Sequence, residues 1–169
     1  MRVRTLCCLL LFALVPGCGE TKTVTKTVTV DATAKPGVAA PLENIQFGHI
    51  KSLTREGSDY ELRFDPALFL SGETANVAAA EDGAVEPGEP VPNDNFVVDE
   101  GHRLLTYRMR ADADVTVVGP GPKSVPISVE ELARIVAGDQ KPRWMPLESG
   151  FWLHSRIDQA RSLDQQYRP

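Results

Sequence analysis

From Tyr60 to Asp65 the chain alternates strictly. Tyr60, Leu62 and Phe64 are large and apolar, while Glu61, Arg63 and Asp65 are charged. A period of two belongs to a half-buried β-strand, with one face on a core and the other in water. The fold must therefore contain a sheet with a wet side. Weaker copies of the pattern recur. Ile45, Phe47 and His49 alternate in a strand running to about Leu53. The turn Arg55-Glu56-Gly57-Ser58 joins it to the Tyr60 strand as a hairpin. Phe96–Val98 is a short strand. Leu105, Tyr107 and Met109 mark another within 104–109, and Val115–Val118 reads as a third after a turn at Ala111-Asp112. Gly119-Pro120-Gly121-Pro122 stops it, because neither residue type belongs inside a ladder. Phe151, Leu153, Ser155 and Ile157 alternate with Trp152, His154 and Arg156 in a final strand. Leu163 and Tyr167 of the terminal segment 162–169 then dock on the body.

Helical signals are fewer. Asp65-Pro66 has the form of an N-cap followed by proline at the first helical position, so the next residues, Ala67–Leu70, read as one apolar helical turn. A short helix over 74–81 would use Ala75, Ala78, Ala79 and Ala80 for close packing. The best helix opens at Ser128, which forms a capping box with Glu131. It carries Val129, Leu132, Ala133 and Val136 on one face, pairs Glu130 with Arg134 outside, and ends at Gly138. Residues 81–95 hold five acids, three prolines and no basic residue, and read as a loop. The order β-β-α-β-β-β-α-β places the chain in the α+β class: a mainly antiparallel small β-barrel or curled sheet with two short helices. Its sharpest form is an OB-like barrel with the helix at 129–137 over one end.

Ahead of this body, Arg2 and Arg4 precede ten apolar or small residues, Leu6–Val15, and Val15-Pro16-Gly17-Cys18 closes the run. Ten residues is signal-peptide length, well short of the roughly 20 of a spanning helix. The closing motif resembles the lipobox of bacterial lipoproteins, with Pro16 where a small or hydroxyl residue is usual. The resemblance implies a signal peptide at 1–17 and a diacylglyceryl-modified Cys18 as first residue. The protein is then an extracytoplasmic lipoprotein held on the cell membrane, with the lipid bilayer as its first partner. Two acyl chains supply the attachment that one chain cannot. Residues 18–44 form the lipidated N-terminus and an extended tether, and 45–169 a single α+β domain. TKTVTKTVTV at 21–30 fits a spacer, with an edge strand as its competing reading.

Cys7 and Cys8 fall in the leader, so an acylated Cys18 leaves the body no thiol and no disulfide. Without Arg2 and Arg4 the charges are 16 basic against 23 acidic, a net −7. That balance argues against nucleic acid, which needs a dense basic patch. The body is also similar to a group of uncharacterised secreted bacterial proteins. The residues carrying this are Phe64-Asp65-Pro66-Ala67, Leu70-Ser71-Gly72, Pro92–Val98, Gly150-Phe151-Trp152 and Asp164–Pro169. The resemblance spans about 45–169, departs from the usual aromatic pair at Asn95-Phe96, and implies an extracytoplasmic domain without assigning a catalytic residue.

No motif in the body carries chemistry by itself. His49, His102 and His154 are far apart and lack ligand spacing, so no metal and no cofactor is assigned. Asp82, Glu86, Glu89 and Asp94 supply calcium-type donors without EF-hand spacing, and read as a solvated loop. Pro92-Asn93-Asp94-Asn95 reads as a turn into the 96–98 strand. Asp65 would serve as a general acid or base only opposite a second carboxylate. Trp144, Met145, Phe151 and Trp152 lie close together in sequence, and Trp152, His154 and Arg156 share the outward face of their strand. Those three are the candidate ligand or partner surface, offering stacking area, an imidazole and a cation. The functional reading is a non-enzymatic binding or structural module of the cell envelope, with an envelope protein or glycan as partner. The alternative is an envelope-polymer hydrolase using carboxylates of the body.

Overall fold

The computed structural model describes residues 43–99, 101, 103–143 and 145–168. The leader, Cys18, the 21–30 segment, His102 and Trp144 lie outside the described residues. Ten regular elements follow in order: β1 (Asn44–Glu56), β2 (Asp59–Pro66), β3 (Leu68–Ser71), α1 (Gly72–Glu81), β4 (Asn95–Val98), β5 (Leu105–Val118), β6 (Ser124–Ile127), α2 (Val129–Val136), β7 (Phe151–Arg156) and β8 (Gln159–Gln165).

Five strands close on themselves. Around the barrel the order is β1-β2-β5-β8-β7 and back to β1, every pairing antiparallel except β5 with β8. Numbering only the barrel strands, this is 1-2-3-5-4-1 with a helix between the third and fourth, the OB-like arrangement. β6 adds to β5 outside the closed ring. Closure requires β1 to serve two sheets. Its first half pairs with β7 and its second with β2, and Gly48 faces both Phe151 and Pro66. A Cβ on Gly48 would lie 2.2 Å from the Asp65 carbonyl oxygen and 2.7 Å from the Phe64 ring. The missing side chain is what lets the strand turn the corner.

The core fills the barrel from alternate positions. Leu62, Phe64, Met109, Phe151, Leu153 and Leu163 are fully buried, each stabilising the fold by roughly 1.5–3 kcal/mol relative to exposure. α2 packs on β1 and β5 and contributes Val129 and Leu132 to the same core, with Ile135 also buried. The Ser128 hydroxyl accepts from the Glu131 N–H at 3.0 Å. The Glu131 carboxylate does not complete a capping box. It accepts from the Gln140 amide at 3.1 Å and sits 3.7 Å from Arg143.

Between β2 and β5 the chain inserts a small second layer, β3-α1-β4. The expected helical turn at 67–70 is instead extended, with Leu68–Ser71 pairing across Asn95–Val98. The local cap signal loses to a two-faced demand. Leu70 packs with Ala75, Ala79 and Phe96 under α1, while the Phe69 ring points the other way, onto the barrel. The Ala67 N–H donates to the Phe47 carbonyl at 2.9 Å, tying the insertion to β1. The expected strands at 104–109 and 115–118 are one strand of 14 residues. Arg110 and Asp112 share its wet face and form a two-pronged ion pair at 2.7 Å, so the polar stretch is extended and not a turn. β6 and β8 join the expected strands, and β8 takes up residues 162–165 of what reads as a docking tail.

Candidate functional site

Burial along β7 alternates from Phe151 to Arg156, with Phe151, Leu153 and Ser155 inside and Trp152, His154 and Arg156 half-exposed on the outer wall. Register fixes their neighbours. Trp152 lies opposite Phe47 on β1 and Asp164 on β8, and His154 opposite Ile45 and Ser162. Thr116 on β5 follows beyond Asp164.

The tryptophan is mostly engaged. Its ring meets Phe47 edge-on at 5.3 Å and Phe69 at 5.7 Å, and its Nε1–H donates to Gln166 Oε1 at 2.7 Å. Phe69 arrives from the insertion, so this aromatic cluster fastens the second layer to the barrel. His154 is freer, with 29% of its side chain exposed. Its Nδ1 lies 3.7 Å from Glu43 Oε1 and its Nε2 3.8 Å from Asp164 Oδ2, too far for hydrogen bonds and within ion-pair range once the ring is protonated. Asp164 is itself oriented, its Oδ1 accepting from Thr116 Oγ1 at 2.5 Å. The Ser162 hydroxyl turns toward Asp164 Oδ2 at 3.5 Å. A serine nucleophile would need its hydroxyl on the imidazole, so the pieces of a hydrolase are adjacent without being assembled. Arg156 makes no ion pair among the described residues.

β7 and β8 meet in a two-residue hairpin at Ile157-Asp158. Ile157 has φ +58° and is 82% exposed. A β-branched residue in the left-handed region is strained by roughly 1–2 kcal/mol, where glycine or asparagine would sit without cost. Asp158 in turn lines a pocket of about 380 Å³ over β2 and β5, walled by the tight β1–β2 turn. Its lining carries Glu56, Asp59, Glu61 and Asp158 against one cation, Arg108, whose Nε is 3.3 Å from Asp59 Oδ2. The volume suits a small ligand, and this end of the barrel is where OB-like folds take ligands, which is an analogy of fold. Sequence reasoning passes over this hairpin because Ile157 reads as the last inward residue of a strand.

Compared with protein-family models, curated proteins and solved structures, the chain matches none.

The other sequence candidates have ordinary placements. Asp65 Oδ2 is held by Lys51 Nζ at 2.8 Å, so its partner is a cation and not a second carboxylate. That hydrogen bond raises the Lys51 pKa above its usual value. Pro92–Asp94 is a 3₁₀ turn with Asn93 and Asp94 at positive φ, and the Asn95 side-chain amide donates to the Asn93 carbonyl at 2.7 Å. Asp82, Glu86, Glu89 and Asp94 are exposed. Among the described residues, no three of His, Cys, Asp and Glu come together as a metal site.

Proposed function

We propose that the protein is a lipid-anchored extracytoplasmic module of the cell envelope that acts by binding an envelope protein or glycan. The leader at 1–17, closing just before Cys18, supports the anchoring. The observation that carries the binding is the β7–β8 hairpin. Ile157 holds a positive φ that costs the free domain stability at a tight, exposed turn, and strain kept at such a position motivates reading it as a contact residue. Arg156 and His154 flank it on the outer wall, and Asp158 opens onto the pocket. Apolar contact, a cation and a hydrogen-bonding rim therefore meet at one end of the barrel.

Two measurements test this. The mature protein from its native host should carry an acylated Cys18 and fractionate with membranes, and the C18S variant should be released. An intact mass showing unmodified Cys18 sinks the anchor. Ile157→Gly should relieve backbone strain, raising stability by up to about 1 kcal/mol and the thermal midpoint by a few degrees. The same change should lower capture of partners from envelope extract about tenfold. A stabilised variant with undiminished capture removes the hairpin from the binding surface.

A further inference from the structure

The inserted layer carries the negative charge of this chain. Between residues 66 and 101 there are eight acidic residues and no Lys, Arg or His, while the remainder has 18 basic against 15 acidic. The layer also ends in an open strand. β4 pairs with β3 alone, and among the described residues no strand pairs with its other edge. Along that edge runs a groove of about 470 Å³, bounded by Phe96–Asp99 on one side and by Ala78, Glu81 and Asp82 of the α1 end on the other. Four consecutive β4-side residues line it although their side chains alternate faces, so the groove follows the strand edge and not one face. The apolar part of its lining comes from Ala78, Phe96, Val97 and Val98. Its rim is Glu81, Asp82 and Asp99, all exposed.

We infer that this groove takes an extended basic segment of a partner protein, which adds to β4 as a third strand. The backbone edge supplies the hydrogen bonds, as in other cases of strand addition. The period of two sends alternate side chains of the incoming strand toward the apolar lining and the others toward the acidic side chains. Charge selects the partner. A strand alternating Lys or Arg with Val, Ile or Thr meets Glu81, Asp82 and Asp99, the last of which also feels Lys51 of β1, whereas an acidic strand is repelled. This surface is separate from the β7–β8 hairpin, and stands whether or not the hairpin binds.

The probe is a ten-residue labelled peptide alternating lysine with valine, titrated into the mature chain by fluorescence anisotropy, with amide hydrogen exchange read on the complex. Binding should slow exchange at residues 95–99. The charge reversals E81K, D82K and D99K together should weaken binding at least about tenfold, at an unchanged thermal midpoint. The same peptide interrupted by prolines keeps its charge but cannot form the ladder, and should bind at least about tenfold more weakly. Equal binding of the proline peptide, protection away from 95–99, or no binding at millimolar peptide overturns the inference. Protection of β4 in the absence of peptide, together with dimerisation in the ultracentrifuge, overturns it in favour of a second copy as the occupant.

Discussion

Gly48→Ala is expected to remove about 3 kcal/mol of the barrel's stability, lowering its urea midpoint well below that of the wild type. The added methyl would sit 2.2 Å from the Asp65 carbonyl oxygen and 2.7 Å from the Phe64 ring, with Pro66 Cα at 2.9 Å. Two of those three atoms are backbone, pinned by the β1–β2 ladder, and the third belongs to a fully buried ring. Nothing nearby is the free end of a flexible side chain. Relief requires β1 to move away from β2 where it also holds Phe151 of β7, so the strain reaches both halves of the barrel. Overpacking of this kind costs about 3 kcal/mol or more, a large part of the 5–15 kcal/mol by which domains are usually stable. Gly57→Ala is the control. Gly57 has φ +63°, and an added methyl there would meet no atom within 4 Å, so only backbone strain of about 1 kcal/mol arises. Urea unfolding of both variants checks the order. A Gly48→Ala midpoint as high as that of Gly57→Ala would mean that the strand corner does not depend on the missing Cβ.

Gly48 also marks where the sequence stops being readable. Strands with one apolar and one charged face announce themselves, as β2 does from Tyr60 to Phe64 and β7 from Phe151 to Leu153. Ser128 announces α2 through its cap. What is hidden is any element whose residues are satisfied by partners that the alternation itself does not show. β8 reads QARSLDQ, yet Ala160, Leu163 and Gln165 are buried, because a glutamine with four partners behaves as a core residue. β5 continues through Ala111–Asp114 because Arg110 and Asp112 neutralise one another on its wet side. β3 looks like the start of a helix until Phe69 and Leu70 are seen to serve opposite faces. The site follows the same logic. The period of two is enough to put Trp152, His154 and Arg156 on one side of a strand. It says nothing of Phe69, which covers Trp152 from the insertion, or of Glu43 and Asp164, which bracket His154 from either side.

Gln165 gives the second large effect. Its Oε1 accepts from the Val118 N–H at 2.9 Å. Its Nε2 donates to the Pro146 carbonyl at 2.8 Å, the Ser149 hydroxyl at 3.0 Å and the Met145 carbonyl at 3.3 Å. One buried amide therefore ties the end of β5 to the turn that launches β7. Gln165→Leu keeps the volume and strands the Val118 donor and the Pro146 acceptor, which should cost about 3 kcal/mol. Gln165→Glu separates the donor role from the acceptor role. At neutral pH a carboxylate there still accepts from Val118 but faces two carbonyl oxygens with no proton to offer. Burial and those carbonyls hold its folded pKa above the unfolded value of about 4.3. The charged form carries the penalty, so the variant loses stability as pH rises from the unfolded pKa to the folded one. On acidification it recovers, and the protonated carboxyl regains one donor. Gln165→Glu should thus melt below Gln165→Leu at pH 7, and the two should converge or cross as pH approaches 4. Thermal midpoints of both variants between pH 4 and pH 8 decide it. A constant gap across that range would show that the side chain at 165 contributes volume alone and that the hydrogen bonds to the turn carry little of the fold.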